Sequence, residues 1–153
     1  MLDIALMGPD EDFNLLLQAN YSSDLIIVEQ KFDINTAEFK ATQGCVSYIR
    51  YNPTNEGLKF GGLLHELVHW EQLQKGLFEF EAYSSPINSV TKNEAPAYNR
   101  QAAFIMRNNL YNKMDAGRQA VFKPFMNTYT SNGVKANWIY FNLGYRDFAG
   151  VKY

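Results

Sequence analysis

The sequence predicts an α+β fold: a small mixed sheet packed on a buried helix and on a second long helix. Three observations predict it. Two strand-like segments, residues 24–32 and 45–51, fall in the first third of the chain. A segment from about Glu56 to Gly76 is apolar on nearly every side of a helix. A second helical stretch, from about Asn93 to Met114, follows it. Strands grouped ahead of helices, not alternating with them, mark an α+β arrangement.

Each element has a local cause. Pro9, Asp10, Glu11 and Asp12 open a first helix that runs to about Tyr21, because acidic side chains suit the positive end of a helix dipole. Residues 24–32 are apolar and β-branched and read as a strand. Residues 33–43 read as a short helix or a loop. Residues 45–51 alternate, with Val46, Tyr48 and Arg50 on one side and Cys45, Ser47, Ile49 and Tyr51 on the other. Asn52-Pro53-Thr54-Asn55 is turn chemistry with Asn55 as an N-cap, and Gly76 is the natural C′ residue of the helix that follows. Residues 77–83 are a short strand or a loop, broken at Ser84-Ser85-Pro86. Gly117 closes the helix of residues 93–114, and a third helix covers 118–129. Ser131-Asn132-Gly133 then turns the chain into a strand at 137–143. No repeat or linker interrupts the pattern, so residues 1–153 read as one domain.

Composition excludes several classes. The hydrophobic content is 46% and the aromatic content 15%, which is a globular profile. The net charge is −2 and no two basic residues are consecutive, so the footprint of a nucleic-acid binder is missing. The longest apolar runs are about four residues, too short to span a membrane. The start, Met1-Leu2-Asp3-Ile4, lacks the basic residues of a signal peptide, which fits a cytoplasmic protein or a released effector. Cys45 is the lone cysteine, so neither an intramolecular disulfide nor a multi-cysteine zinc site is available, and it reads as a small core residue.

Chemistry concentrates in His65-Glu66-Leu67-Val68-His69. Residues at i and i+4 lie on one helix face, so the two imidazoles can converge on one zinc ion. Glu66 lies about 100° round the helix from His65, beside the metal, where it can hold and deprotonate a water. Leu63, Leu64, Leu67, Val68 and Trp70 make the helix apolar nearly all round, and burying two imidazoles and a carboxylate there without partners would be costly. Gly61 and Gly62 just before the motif permit a close backbone approach. The chain has two histidines and both fall in the motif. Random scatter would produce this arrangement in roughly one chain in a thousand. The competing reading is a pair of structural histidines hydrogen-bonded in the core.

With no histidine left, the third ligand is a carboxylate or Cys45. Glu71 is too close to His69 on the same helix. Glu79 and Glu81 are conceivable, and Glu94 fits best. It opens the second long helix, where Ala95 and Ala97 allow close packing on the first, and it shares one face with Tyr98 and Gln101 at i, i+4 and i+7. Thr91-Lys92-Asn93-Glu94 also fits a capping box, with Glu94 merely closing a helix start. Pro96 argues against that: with Asn93 as N-cap it falls in the first turn, where its missing N–H costs nothing.

These residues carry a resemblance. Leu64-His65-Glu66-Leu67-Val68-His69-Trp70, followed by Glu94-Ala95-Pro96-Ala97-Tyr98, resembles the zincin metallopeptidases whose third ligand is a glutamate, the gluzincins. It is similar to small bacterial and phage-type zincin domains, some of them toxin or effector domains, over roughly residues 44–110. The resemblance implies a zincin-like fold, one Zn²⁺ held by His65, His69 and Glu94, and Glu66 as the activator of water. It also implies that the strand before the motif, residues 45–51, lines the cleft and pairs with an extended peptide. No histidine is left to stabilise an oxyanion and no second substrate domain is present.

The function expected is metal-assisted hydrolysis of a peptide or protein substrate, with Glu66 as general base and no nucleic-acid or membrane partner. An oxyanion donor is needed. Tyr98 is one candidate; Arg100, Tyr83 and Tyr145 are others. Gln72 and Gln101 are candidates to orient the ligands, and Trp70 reads as core. The aromatic tail, Trp138 to Tyr153, would form a cleft wall or lid. Two alternatives remain: a non-catalytic metal-binding or regulatory module, and a helical scaffold in which the motif is accidental.

Overall fold

The computed structural model describes residues 11–30, 37–42, 44–52, 60–80 and 90–128. Four α-helices and three strands lie in them: α1 (Glu11–Tyr21), β1 (Leu25–Glu29), β2 (Ala37–Lys40), β3 (Ser47–Tyr51), α2 (Gly62–Gln74), α3 (Ala95–Arg107) and α4 (Ala116–Thr128). This is an α+β arrangement with a small mixed sheet, as expected. The expected N-cap Asn55, the break at Ser84 to Pro86, the strand at 137–143 and the tail lie outside the described residues. So do Glu81, Tyr83 and Tyr145.

The sheet order is β1-β3-β2. β3 is central, parallel to β1 and antiparallel to β2. Its alternation places Ser47 and Ile49 inward, both fully buried, and Tyr48 outward. β2 replaces the short helix or loop expected for residues 33–43. Only Phe39 among its four residues is a strong strand former, so nothing local announces it. Pairing with β3 does, reinforced by the Glu38–Arg50 ion pair between directly opposed residues. Cys45 is exposed, not core: the strand begins only at Ser47, after a turn closed by a Cys45 N–H to Thr42 C=O bond and by Gly44 at φ 71°.

α2 is the hub. It packs on α1, α3, β2 and β3, and nine of its residues are buried, from Gly62 to Gln72. It starts later than about Glu56, because Gly61 sits at φ 78° and breaks the helical path. A Cβ on Gly61 would lie 2.9 Å from a Phe104 ring carbon, so the expected close approach is to α3. Gly76 closes α2 as expected, in a Schellman motif with Gly76 N–H to Leu73 C=O and Leu77 N–H to Gln72 C=O.

α3 ends at Arg107, short of Met114. Asn109 adopts φ 53° and Leu110 N–H returns to Ile105 C=O, so an asparagine does the work of a C′ glycine. Gly117 does not close that helix but lies in the first turn of α4, whose N-cap is Asp115, accepting from Arg118 N–H. Trp70 is core, as expected, and Ala95, Ala97 and Ala102 bring α3 close to α2. Buried Asp12 ties α1 to α3 through Arg100 and Arg107.

Candidate metal centre

His65 and His69 project from one face of α2, as their four-residue spacing requires. Glu94 comes from the last residue of a π-helical turn, Val90–Glu94, that leads into α3. Asn93 does not cap this helix. Its amide oxygen accepts from Glu79 N–H at 2.9 Å and its amide nitrogen donates to Glu79 C=O at 2.8 Å. Pro96 falls in the first turn of α3, as expected. The capping-box role for Glu94 is absent, because the helix start makes no side-chain cap.

Instead the Glu94 carboxylate reaches both imidazoles. Oε2 lies 3.1 Å from His65 Nε2 and Oε1 lies 3.4 Å from His69 Nε2. One donor atom from each of the three residues falls within 4.8 Å of the others. Two imidazole nitrogens and one carboxylate oxygen are a donor set that could hold a metal ion. The donor chemistry fits a divalent cation, since Glu94 supplies negative charge and both histidines can turn a lone pair towards it.

The outer faces of the histidines are held by two glutamines. His65 Nδ1 lies 3.1 Å from Gln101 Oε1, and His69 Nδ1 lies 3.1 Å from Gln72 Oε1. The amide nitrogens are committed elsewhere: Gln101 donates to Phe60 C=O, and Gln72 donates to Lys92 C=O and Asn93 C=O. Carbonyls only accept, so each amide nitrogen must face them and each amide oxygen must face its histidine. Nδ1 therefore carries a proton, and Nε2 is the atom turned to Glu94. Each glutamine also braces one ligand helix against the backbone that starts the other. Both were nameable as candidates: Gln101 is on the Glu94 face of α3, and Gln72 follows His69 by one helical step. For a metal ion held by His65, His69 and Glu94, Gln72→Leu and Gln101→Leu are each expected to weaken binding by about 10–100-fold. Competition with a chelator checks this, and wild-type affinity in both variants would refute it.

Electrostatics follow from the same contacts. For Glu94, burial alone would raise the pKa, but hydrogen bonds and charge from His65 and His69 outweigh it and hold the carboxyl well below its usual range. For His69, burial pulls the pKa down, and the hydrogen bond and charge of Glu94, with help from Glu66 and Gln72, raise it overall. For Glu66, burial dominates and raises the pKa, with Glu94 adding to it; the charges of His65 and His69 and a hydrogen bond from Phe39 N–H work against it.

A cavity of about 510 Å³ opens over these groups. Glu66, Glu94 and Tyr98 line it together with β2. The strand along the cleft is thus β2 and not residues 45–51, because β3 has both edges occupied by β1 and β2. Sequence reasoning missed β2 here for want of any local signal. Tyr98 packs edge-to-face on His65, with ring centroids 4.5 Å apart. Glu94, Tyr98 and Gln101 therefore enclose His65 from one face of α3, as their spacing implied. Other candidates fall away from the site. Arg100 pairs with Asp12 and Glu71, Glu71 also pairs with Lys75, and Cys45 lines a different depression. Glu79 borders the cavity, but its carboxylate pairs with Lys92. Comparison with protein-family models, with curated proteins and with solved structures finds no match to this chain.

Proposed function

We propose that this chain is a zinc-dependent metallopeptidase with a zincin-like arrangement of its active-site helix, its second ligand helix and its sheet. The observation that carries the reading is the convergence of His65, His69 and Glu94 donor atoms within 4.8 Å beside Glu66, at the floor of an open cavity. His65 and His69 through Nε2, and Glu94 through its carboxylate, would hold one ion. When bound, zinc supplies Lewis-acid activation of water and of a substrate carbonyl.

The protein's own residues do the rest. Glu66 takes the proton of the attacking water and delivers it to the departing amine. An extended substrate would run along β2, whose far edge carries no strand among the described residues. Tyr98 also lines the cavity, against His65, and its hydroxyl is the donor assigned to the developing oxyanion. Tyr98→Phe keeps the ring packing on His65, so it is expected to lower kcat by about 10²-fold without changing zinc affinity. A variant with wild-type kcat would remove Tyr98 from that role.

The direct test is metal analysis of the purified protein followed by a peptide-library digest with and without a chelator. One zinc per chain and chelator-sensitive cleavage are expected. A protein that takes up no zinc, or that binds zinc and cleaves nothing, overturns the peptidase reading; the second result leaves a metal-binding module.

A further inference from the structure

Three phenyl rings form one wall of the cavity, and the chemistry described so far uses none of them. Phe39 comes from β2, and Phe78 and Phe80 come from the segment after α2. Phe39 is inclined by 25° to the His69 imidazole at 6.2 Å between centroids, and Phe78 meets the same imidazole edge-on at 6.1 Å. Phe39 and Phe78 meet edge-to-face at 5.6 Å, and Phe78 and Phe80 at 5.2 Å. The rings thus make a continuous apolar surface that begins at a ligand histidine. All three are half-buried and line the cavity.

The surface is held in place from behind. Asn93 binds both the N–H and the C=O of Glu79, the residue between Phe78 and Phe80, and Lys92 pairs with the Glu79 carboxylate. Those anchors lie directly before Glu94, so one short stretch both supplies a ligand and fixes the aromatic wall. An apolar wall set among polar groups is how a site recognises an apolar side chain. Aromatic faces and edges suit another ring best, because their quadrupoles favour offset and edge-to-face pairs.

We propose that the Phe39–Phe78–Phe80 wall is a specificity subsite that selects substrates with a large apolar side chain, aromatic above all, next to the bond cleaved on the metal. The assignment rests on the zinc-site reading. Binding of amino-acid hydroxamates to the zinc-loaded protein tests it, because the hydroxamate group chelates the metal identically while the side chain reports on the wall.

Zinc uptake is measured first. Phenylalanine hydroxamate is then expected to bind at least about tenfold more tightly than alanine hydroxamate. In Phe78→Ala and in Phe80→Ala that ratio is expected to shrink to within about threefold, while alanine hydroxamate keeps its wild-type affinity. Equal affinity of the two compounds for the zinc-loaded wild-type protein overturns the subsite and leaves the metal site standing. A protein that takes up no zinc overturns both. The wild-type comparison decides the matter even where a variant fails to fold.

Discussion

Glu66→Gln is expected to lower kcat for peptide hydrolysis by about 10²–10⁴-fold while zinc content is unchanged. The amide keeps the shape of the carboxylate, so the fold should hold. What the amide cannot do is take a proton from water. The wild-type pH profile should carry the same signature. Burial raises the Glu66 pKa above its ordinary 4.5. In the zinc-loaded enzyme the ion's charge works against that rise; the base is ionised above its pKa and lost as pH falls through it, so the profile should carry an acid limb. The residual activity of the variant should lack that limb. Steady-state kinetics beside metal analysis checks both statements, and a zinc-loaded variant as fast as wild type would remove Glu66 from the chemistry.

Glu94→Gln is expected to weaken zinc binding by more than the roughly 10–100-fold set by an outer hydrogen-bond partner, because it removes a ligand's charge. His65→Ala and His69→Ala should do the same. The metal-free protein offers an independent readout. The Glu94 pKa is lowered from 4.5, so its contribution to stability is present above about pH 4.5 and lost as pH falls below it. The His69 pKa is raised from 6.5, so its contribution is complete below about pH 6.5 and lost as pH rises through the raised value. The pair therefore stabilises the metal-free chain most between those limits. Zinc competes with the His69 proton, so its affinity should climb through the same upper limb. In Glu94→Gln, His69 loses the partner that raises it, and the upper limb should move to lower pH. Chelator titrations and thermal melts from pH 5 to 9 report both effects. Unchanged zinc affinity in Glu94→Gln would dismiss Glu94 as a ligand.

Much of the site was legible because it is written in local geometry. His65 and His69 share a face whatever surrounds them, since an α-helix returns to the same side after four residues. Gly76 marks the end of α2 because its backbone alone reaches φ 67° without strain. The Glu94, Tyr98 and Gln101 stripe could be seen for the same reason. The errors fall where local preference is weak. Asn109 ends α3 with a left-handed residue that is not glycine, so the expected helix ran on to Met114. Cys45 follows the alternation of β3 but lies one turn outside the strand, where no neighbour buries it. β2 has four residues and one strong strand former, so its existence depends on β3.

By itself the sequence determined which atoms are available for chemistry: two imidazoles on one helical stripe, a carboxylate beside them, and a glutamate at the start of a later helix. Tertiary structure alone decided how they are held. Packing of α3 on α2 brings Glu94 to both histidines and sets Gln101 behind His65, and the sheet order gives the cleft to β2. The physical reason is range. Helical spacing acts over a few residues and is fixed by backbone geometry, whereas a hydrogen bond such as Gln101 to Phe60, 41 residues apart, exists only once the core that joins the two helices has formed.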